Sequence, residues 1–182
     1  MKYVIKENLY YFLHRVLWIM LRVPSTTFRR YILILCGAKI SRKVSVLSGI
    51  MVLAPWKLII GSGTTVNSNV LLDARGGIQI GKNVQIGYGS KIHSMGHSIK
   101  EPAFKAEKKR VLIGDNCVLF SEVYIGPGTL ISDNVIAYPR CVVLGNCEIK
   151  AASRILGNPY TLISPNKVKL SGSKFNPSPL GL

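Results

Sequence analysis

One apolar residue recurs every six positions in the second half of the chain, and this repeat constrains the fold more than any other feature. The residues at this spacing are Ile113, Leu119, Ile125, Ile131, Ala137, Val143, Ile149 and Ile155. A period of six matches neither the 3.6 residues of a helical turn nor the alternation of a hairpin strand. It is typical of short flat strands that turn a corner after each one. Three strands close a coil, coils stack about 4.8 Å apart, and the repeat residues are buried inside.

Residues that favour turns occupy the expected corners, for example Gly114-Asp115-Asn116 and Gly126-Pro127-Gly128. The rhythm starts loosely at Ile40 and is clearer from Ile60 onward. Two extra residues enter at Arg75-Gly76-Gly77, where we expect a bulge or a wider corner. The sequence therefore predicts a mainly β domain, a parallel β-helix over residues 38–163.

Residues 1–37 predict two helices. The first covers residues 2–23 and ends before Pro24, and the second runs from Phe28 to Cys36 after a cap at residues 25–27. His14 and Arg15 interrupt the apolar run, which is shorter than the about 20 residues of a membrane span. No cleavage site of a signal peptide follows. Two interpretations of the first helix stay open. It packs on protein, either its own solenoid or a neighbouring subunit, or it lies in the plane of an anionic membrane, and both can hold at once.

The chain carries 24 Lys and Arg against 8 Asp and Glu, a net charge of +16 that favours anionic partners. Phosphorylated cofactors and lipid headgroups are candidates, whereas no motif of nucleic-acid recognition accompanies the charge, so we expect no nucleic-acid partner. The four cysteines lack any C-x2-C pair, which indicates reduced core thiols, no metal site and a cytoplasmic location.

A segment over about residues 94–110 interrupts the repeat between Ile92 and Ile113. Loops of this length inside compact domains are usually functional. After Ile155 the rhythm ends at Gly157-Asn158-Pro159, and the tail over residues 164–182, rich in Pro, Ser and Lys, is expected to be a capping or partly disordered extension.

The hexads, the Gly96-His97 pair in the ejected loop and the closing Gly157-Asn158-Pro159 together resemble the acyltransferases of the hexapeptide-repeat superfamily. Gly37-Ala38-Lys39-Ile40 after a basic apolar helix resembles, more particularly, the acetyltransferases of capsule, O-antigen and colanic acid biosynthesis. The resemblance implies a left-handed parallel β-helix, a homotrimer, acetyl-CoA as the donor, and an active site in the groove between adjacent subunits.

The resemblance also implies that His97 is the catalytic base. A sugar hydroxyl is a poor nucleophile at neutral pH, and imidazole is well suited to take its proton during attack on a thioester. The alternative is a loop histidine that only makes a hydrogen bond. His93 follows the inward residue Ile92, so we expect it to point outward as a surface or substrate-contacting residue.

Further site residues follow from the same resemblance. The backbone N–H of Ser121 is the expected donor to the thioester carbonyl, although Val118–Glu122 lacks the Trp and Gly usual there. Glu122 either orients His97 or is a solvated corner carboxylate, and Asn69 and Asp73 are the candidates for binding the acceptor. The candidates for binding the phosphates of CoA are three outward basic residues, with solvated surface charges as the alternative: Arg140, Lys150 and Arg154. The resemblance also implies that the cofactor channel runs past Gly157 and Asn158, with closure of the last coil as the alternative role of this segment.

The resemblance thus implies acetyl-CoA-dependent O-acetylation of a sugar hydroxyl on a bacterial surface polysaccharide or its lipid-linked precursor, and we expect a cytoplasmic enzyme that can bind the inner face of the cytoplasmic membrane. Three alternatives stay open. They are N-acyl transfer to an amino sugar, a non-catalytic scaffold at the membrane, and a zinc-dependent carbonic anhydrase on the same fold. The last requires three imidazole ligands, and only His14 joins His93 and His97.

Overall fold

The computed structural model describes residues 2–97 and 105–163, which form two helices followed by a three-sided coil of short strands. The helices are α1 (Lys2–Met20) and α2 (Thr26–Leu35). The strands are β1 (Lys39–Ile40), β2 (Ser45–Val46), β3 (Met51–Leu53), β4 (Leu58–Ile60), β5 (Thr65–Val66), β6 (Leu71–Asp73), β7 (Ile78–Ile80), β8 (Gln85–Ile86), β9 (Lys91–His93), β10 (Met95–His97), β11 (Ala106–Lys108), β12 (Val111–Ile113), β13 (Val118–Leu119), β14 (Tyr124–Ile125), β15 (Leu130–Ile131), β16 (Ile136–Ala137), β17 (Val142–Val143), β18 (Glu148–Ile149), β19 (Arg154–Leu156) and β20 (Thr161–Ile163).

The coil has three flat faces. Face A is the sheet β1-β4-β7-β12-β15-β18, face B is β2-β5-β8-β13-β16-β19 extended by β20, and face C is β3-β6-β9-β14-β17. Every pairing within these faces is parallel except that of β19 with β20. The predicted parallel β-helix is confirmed. We call the corners edge AB, edge BC and edge CA, after the faces they join.

The repeat residues form the core of the coil, as predicted. They are buried to at most 3% relative exposure: Ile113, Leu119, Ile125, Ile131, Ala137, Val143, Ile149 and Ile155. Equivalent residues of successive coils lie in register, for example Ile113 beside Ile131 and Ile131 beside Ile149. The inward column of each face is therefore a stack of aliphatic side chains that water does not reach.

Truncating one repeat residue is expected to cost much more stability than truncating an exposed one. Ile125 is fully buried, so Ile125→Ala leaves a cavity and should lower the free energy of unfolding by about 2–5 kcal/mol. Leu144 lies at edge CA with 67% exposure, and Leu144→Ala should change it by less than about 0.5 kcal/mol. Urea unfolding measures both, and equal losses would contradict the assignment of the core.

The first coils are longer than the later ones. Ile40, Ile60 and Ile80 are partners in successive coils at twenty-residue intervals, whereas Ile113, Ile131 and Ile149 are partners at eighteen. The additional residues form single 3-10 turns at edge CA, over Pro55–Lys57 and Ala74–Gly76. The second turn is the predicted wider corner, and the first was not predicted.

The helices cover the first coil. Ser25 caps α2, with its Oγ accepting from the Phe28 N–H at 3.2 Å as predicted. The buried Arg29 donates from Nε to the Val46 carbonyl at 2.7 Å, which joins α2 to face B. Helix α1 ends at Met20, three residues earlier than predicted, because Leu21 turns into the core and is fully buried.

At the other end of the coil, β20 folds back antiparallel on β19, with Ile155 paired to Leu162. The four cysteines are free, and Cys117 and Cys141 are fully buried, whereas Cys36 and Cys147 are partly exposed. Burial raises the pKa of the Cys117 and Cys141 thiols to about 11. The predicted tail, residues 164–182, lies outside the described residues.

Candidate functional site

Edge BC brings together three of the predicted site residues. Asn69, Glu122 and Arg140 occupy the same corner position of their coils with left-handed φ angles of 58°, 60° and 60°, and Gly89 holds that position in the coil between Asn69 and Glu122. Ser121 precedes Glu122, and Gly157 and Asn158 follow β19 at the same end of face B. Most of the predicted acceptor and CoA contacts therefore lie along one edge.

Side chains along edge BC are linked from coil to coil. Arg140 donates from Nε to Glu122 Oε2 at 2.6 Å, and Asn69 donates from Nδ2 to the Tyr88 hydroxyl at 2.9 Å. The structure thus gives Glu122 a cationic partner on the next coil. Both members of the ion pair are exposed, with 82% of Arg140 accessible, so each can exchange its partner for a ligand.

Asp73 lies at the end of β6, next to edge CA, and its side chain is 1% exposed. Arg75 holds it with two hydrogen bonds, Nε to Oδ1 at 2.8 Å and Nη2 to Oδ2 at 2.6 Å. Nδ1 of His93 lies 3.7 Å from Oδ2, because Asp73 and His93 are register partners in β6 and β9. Burial opposes ionisation, but Arg75 and His93 outweigh it and hold the pKa of Asp73 well below its usual value.

His93 points outward from the coil, as predicted, and stacks on Tyr124 of the next coil with 5.4 Å between ring centroids. Tyr124 also lines a groove of about 340 Å³ on the outer surface of face C. The rest of this groove is formed by Gly89, Lys91, Glu122 and Val123. The groove therefore runs from edge BC to Tyr124, the residue on which His93 stacks.

The ejected segment, residues 94–110, begins as an antiparallel hairpin, which we call the finger. Its strands β10 and β11 pair Met95 with Lys108, Gly96 with Glu107 and His97 with Ala106. His97 is exposed at the outer end of β10, and residues 98–104 lie outside the described part of the chain. The finger leaves the coil directly after β9, so the strand that ends in His93 leads into the strand that ends in His97.

Ser94 fixes the base of the finger. Its buried hydroxyl donates to the Asp73 carbonyl at 2.5 Å and accepts from the Gly76 N–H at 2.8 Å. Its carbonyl accepts from the Lys109 N–H at 2.9 Å, where the chain returns to the coil. The orientation of the finger is therefore set by the same corner that holds Asp73 and Arg75.

Other predicted residues lie elsewhere. Lys150 is at edge AB, and Arg154 begins β19 on face B, so neither shares edge BC with Arg140. Edge AB is a structural ladder, in which Asp133 Oδ1 accepts from the Asp115 N–H at 2.7 Å. The predicted grouping of three cations along one CoA path is thus not seen within this chain.

The third histidine lies apart from the other two. His14 of α1 is within 3.1 Å of the Val52 carbonyl on the first coil, two coils from His93. Among residues 2–97 and 105–163, no group of three or more His, Cys, Asp or Glu side chains is arranged to hold a metal ion. Within one chain, the three imidazoles that the carbonic anhydrase alternative requires do not converge.

Sequence reasoning missed Arg75, Ser94 and Tyr124. The sequence does contain a signal for Arg75. This cation follows the acidic Asp73 by two residues, at the point where the extra corner residues enter the repeat. Ser94 and Tyr124 carry none, since their roles depend on which residues become neighbours on adjacent coils.

The depressed pKa of Asp73 predicts a loss of stability in acid. A carboxyl whose pKa is lower in the folded than in the unfolded state stabilises the fold above about pH 4, and the contribution is lost as pH falls towards the folded value. The urea midpoint of the wild type should therefore fall more between about pH 6 and pH 2 than that of Asp73→Asn. Parallel profiles for the two proteins would contradict this account.

Comparison with known proteins adds to this geometry. The chain is 29% identical over 136 residues to the putative colanic acid biosynthesis acetyltransferase WcaF of Escherichia coli K12, covering 75% of this chain and 74% of that protein. Its fold matches a maltose O-acetyltransferase from Clostridium difficile 630, with a TM-score of 0.74, 23% identity and 83% of each chain covered.

The fold also matches a hexapeptide-repeat acetyltransferase from Vibrio cholerae complexed with acetyl-CoA, with a TM-score of 0.73, 18% identity, and 83% of this chain and 84% of that chain covered. No family model matches the sequence. The resemblance to hexapeptide-repeat acetyltransferases that the sequence suggested is confirmed by these similarities.

Proposed function

We propose that this chain is an acetyl-CoA-dependent O-acetyltransferase that acts on a sugar hydroxyl of a bacterial surface polysaccharide or its lipid-linked precursor. The names of its relatives support acetyl transfer, and two of them refer to a saccharide or its biosynthesis. The observation that carries the proposal is the finger, which leaves the coil at Ser94, directly after His93, and bears the exposed His97.

In the proposed reaction, an imidazole nitrogen of His97 takes the proton of the sugar hydroxyl while the hydroxyl oxygen attacks the thioester carbon. The C–O bond forms, the carbonyl oxygen becomes an oxyanion, and the N–H of Ser121 is the proposed donor to it. When the C–S bond breaks, the leaving sulfur receives the proton from His97. We propose that His93, whose Nδ1 lies 3.7 Å from Asp73 Oδ2, binds a second hydroxyl of the acceptor.

Residues near edge BC suit the proposed donor substrate. Phe120 and Tyr138 stack with 5.9 Å between ring centroids on face B and provide an apolar surface beside Ser121. The exposed guanidinium of Arg140 follows on the next coil and suits a phosphate group. An aromatic surface followed by a cation along the same edge matches a ligand such as CoA, which has an organic arm and a phosphorylated end.

We propose a homotrimer, in which a second copy closes the groove on face C. In a single chain this groove is open, and its acceptor candidates face outward. Sedimentation equilibrium tests the proposal, and a monomer that retains full activity would overturn it.

The nature of the bond that is formed separates O-acetyl from N-acetyl transfer. Release of CoA is followed with sugar acceptors that carry only hydroxyls and with amino sugars, and the acetylated product is then treated with mild base. An ester is cleaved and an amide is not. A stable product would favour the N-acyltransferase, and no CoA release with any glycan would favour the non-catalytic scaffold.

We also propose that the enzyme is cytoplasmic and binds the inner face of the membrane through α1. This helix exposes large apolar side chains that do not line its contact with the coil: Leu9, Tyr11, Phe12 and Ile19. The guanidiniums of Arg15 and Arg22 lie over the ring of Trp18, at 5.6 and 3.9 Å from its centroid. No described helix has the length and apolar character needed to cross a membrane.

Binding to vesicles should depend on lipid charge. Each basic residue near an anionic surface contributes about 1 kcal/mol, so the chain should bind anionic vesicles at least about tenfold more tightly than neutral ones, and less tightly at high salt. Phe12→Ser, which removes an exposed apolar side chain of α1, should weaken this binding, whereas Phe120→Ser on face B should not. Co-sedimentation measures both, and equal affinity for the two kinds of vesicle would contradict the prediction.

A further inference from the structure

A large apolar groove lies between α1 and the first coil. Its volume is about 410 Å³ and almost all of its exposed lining is apolar. Helix α1 contributes Leu13, Val16 and Leu17, and the 3-10 turn at edge CA contributes Pro55 and Trp56. A concave surface of this composition suits an aliphatic ligand much better than a sugar or a nucleotide.

Cationic side chains begin where this groove ends. Lys57 follows Trp56 at edge CA, is exposed, and donates from Nζ to the Arg75 carbonyl at 3.0 Å. Its ammonium group has three N–H donors, and this bond uses one. Arg75 lies on the next coil at the same edge, with 42% of its side chain exposed beside the buried Asp73. The two cations thus lie on adjacent coils, whose backbones stack about 4.8 Å apart.

The imidazoles come next along the same edge. His93 is on the third coil, beside Asp73, and the finger with His97 leaves that coil through Ser94. With coils about 4.8 Å apart, roughly 10 Å along the coil axis separates the corner at Trp56 from the corner at Ser94. Edge CA therefore presents an apolar groove, then cations, then histidines.

We propose that the groove binds the aliphatic chain of an isoprenoid lipid whose diphosphate contacts Lys57 and Arg75 and whose sugar reaches His97. A lipid-linked sugar has these three parts in the same order and with complementary charge. The inference rests on the proposed function, since it names the class of acceptor. It differs from membrane attachment of α1, because the lipid chain lies in the groove and not against the exposed side of the helix.

The test measures binding without acetyl transfer, with the full chain in buffer that contains neither vesicles nor acetyl-CoA. Farnesyl diphosphate, farnesol and inorganic pyrophosphate are titrated below the micellar range, and tryptophan fluorescence is followed, since Trp56 lines the groove. We expect farnesyl diphosphate to bind at least tenfold more tightly than either of the other two probes. Equal affinity for farnesyl diphosphate and pyrophosphate, or no binding of farnesyl diphosphate, overturns the proposal.

Two pairs of variants locate the site. Val16→Asp places a charge in the groove, and Ile19→Asp places one on the same helix outside it. Lys57→Gln removes a cation at edge CA, and Lys82→Gln removes one at edge AB. We expect Val16→Asp to weaken the binding of farnesyl diphosphate at least tenfold. We expect Lys57→Gln to weaken this binding several-fold without affecting the binding of farnesol. If each variant matches its control, the proposal is wrong.

Failure of the lipid-binding proposal can be distinguished from failure of the proposed acetyltransferase function. A protein that acetylates soluble sugars but does not bind farnesyl diphosphate leaves the acetyltransferase standing and removes the lipid groove. A protein that binds the probe in the groove but transfers no acetyl group supports the groove and overturns the enzymatic proposal. Circular dichroism of each variant confirms that a loss of binding does not come from loss of the fold.

Discussion

Replacing His97 with alanine is expected to lower the rate of acetyl transfer by at least about 100-fold, the usual scale for loss of a general base. The loss should appear mainly in kcat, because the imidazole acts on the proton that moves in the transition state. His97 is exposed on the finger, so the melting temperature should change little. Initial rates of CoA release with a saturating acceptor measure the effect.

Lys105→Ala is the matched control for this experiment. Lys105 is another exposed residue of the finger, preceding β11, and has no role in the proposed chemistry. Its replacement should change the rate by less than about twofold. If the rate of CoA release by His97→Ala is only a few-fold below that of the wild type, or if the two variants have the same rate, His97 is not the base.

Replacing Gly76 with alanine is expected to reduce activity through the position of the finger. A Cβ at Gly76 would overlap the carbonyl oxygen of Ser94 and come within 3.0 Å of the Lys109 nitrogen, the two backbone groups that close the finger at its base. The finger must then shift, and a displacement of about 1 Å at a reacting group can cost about 100-fold in rate. Activity should fall by at least about tenfold.

Gly61→Ala separates this effect from a general loss of stability. A Cβ at Gly61 would meet the backbone of Gly81 at 2.6 Å, but at edge AB, away from the finger. Both substitutions overpack a corner and should cost about 1–3 kcal/mol of stability. Rates corrected for the folded fraction should fall for Gly76→Ala alone; an equal fall in both would show that the corner at Gly76 does not position His97.

The coil could be predicted from the sequence because its determinants are local and repeated. A residue such as Ile131 is buried on every side by its equivalents in the coils before and after it, so a six-residue period is enough to identify it. The outward direction of His93 followed from its position after Ile92 for the same reason. The cap at Ser25 also depends only on residues close in sequence.

The site could be predicted only in part, because its contacts join residues on different coils. Asp73 and His93 are neighbours only if the second coil has twenty residues, and the period alone allows eighteen. Lys150 was grouped with Arg140 on charge, yet their coil positions place them on different edges. The groove under α1 depends on how a helix packs against the first coil, which the repeat does not specify.

Face B is covered at both ends of the coil, and this limits how the protein can associate. A stack of parallel strands exposes unpaired N–H and C=O groups on its first and last coils, and such edges pair readily with further strands. Here α2 lies over one end, with Arg29 bonded to Val46, and β20 turns back over β19 at the other. End-to-end joining of copies into a fibre through this face is thereby hindered.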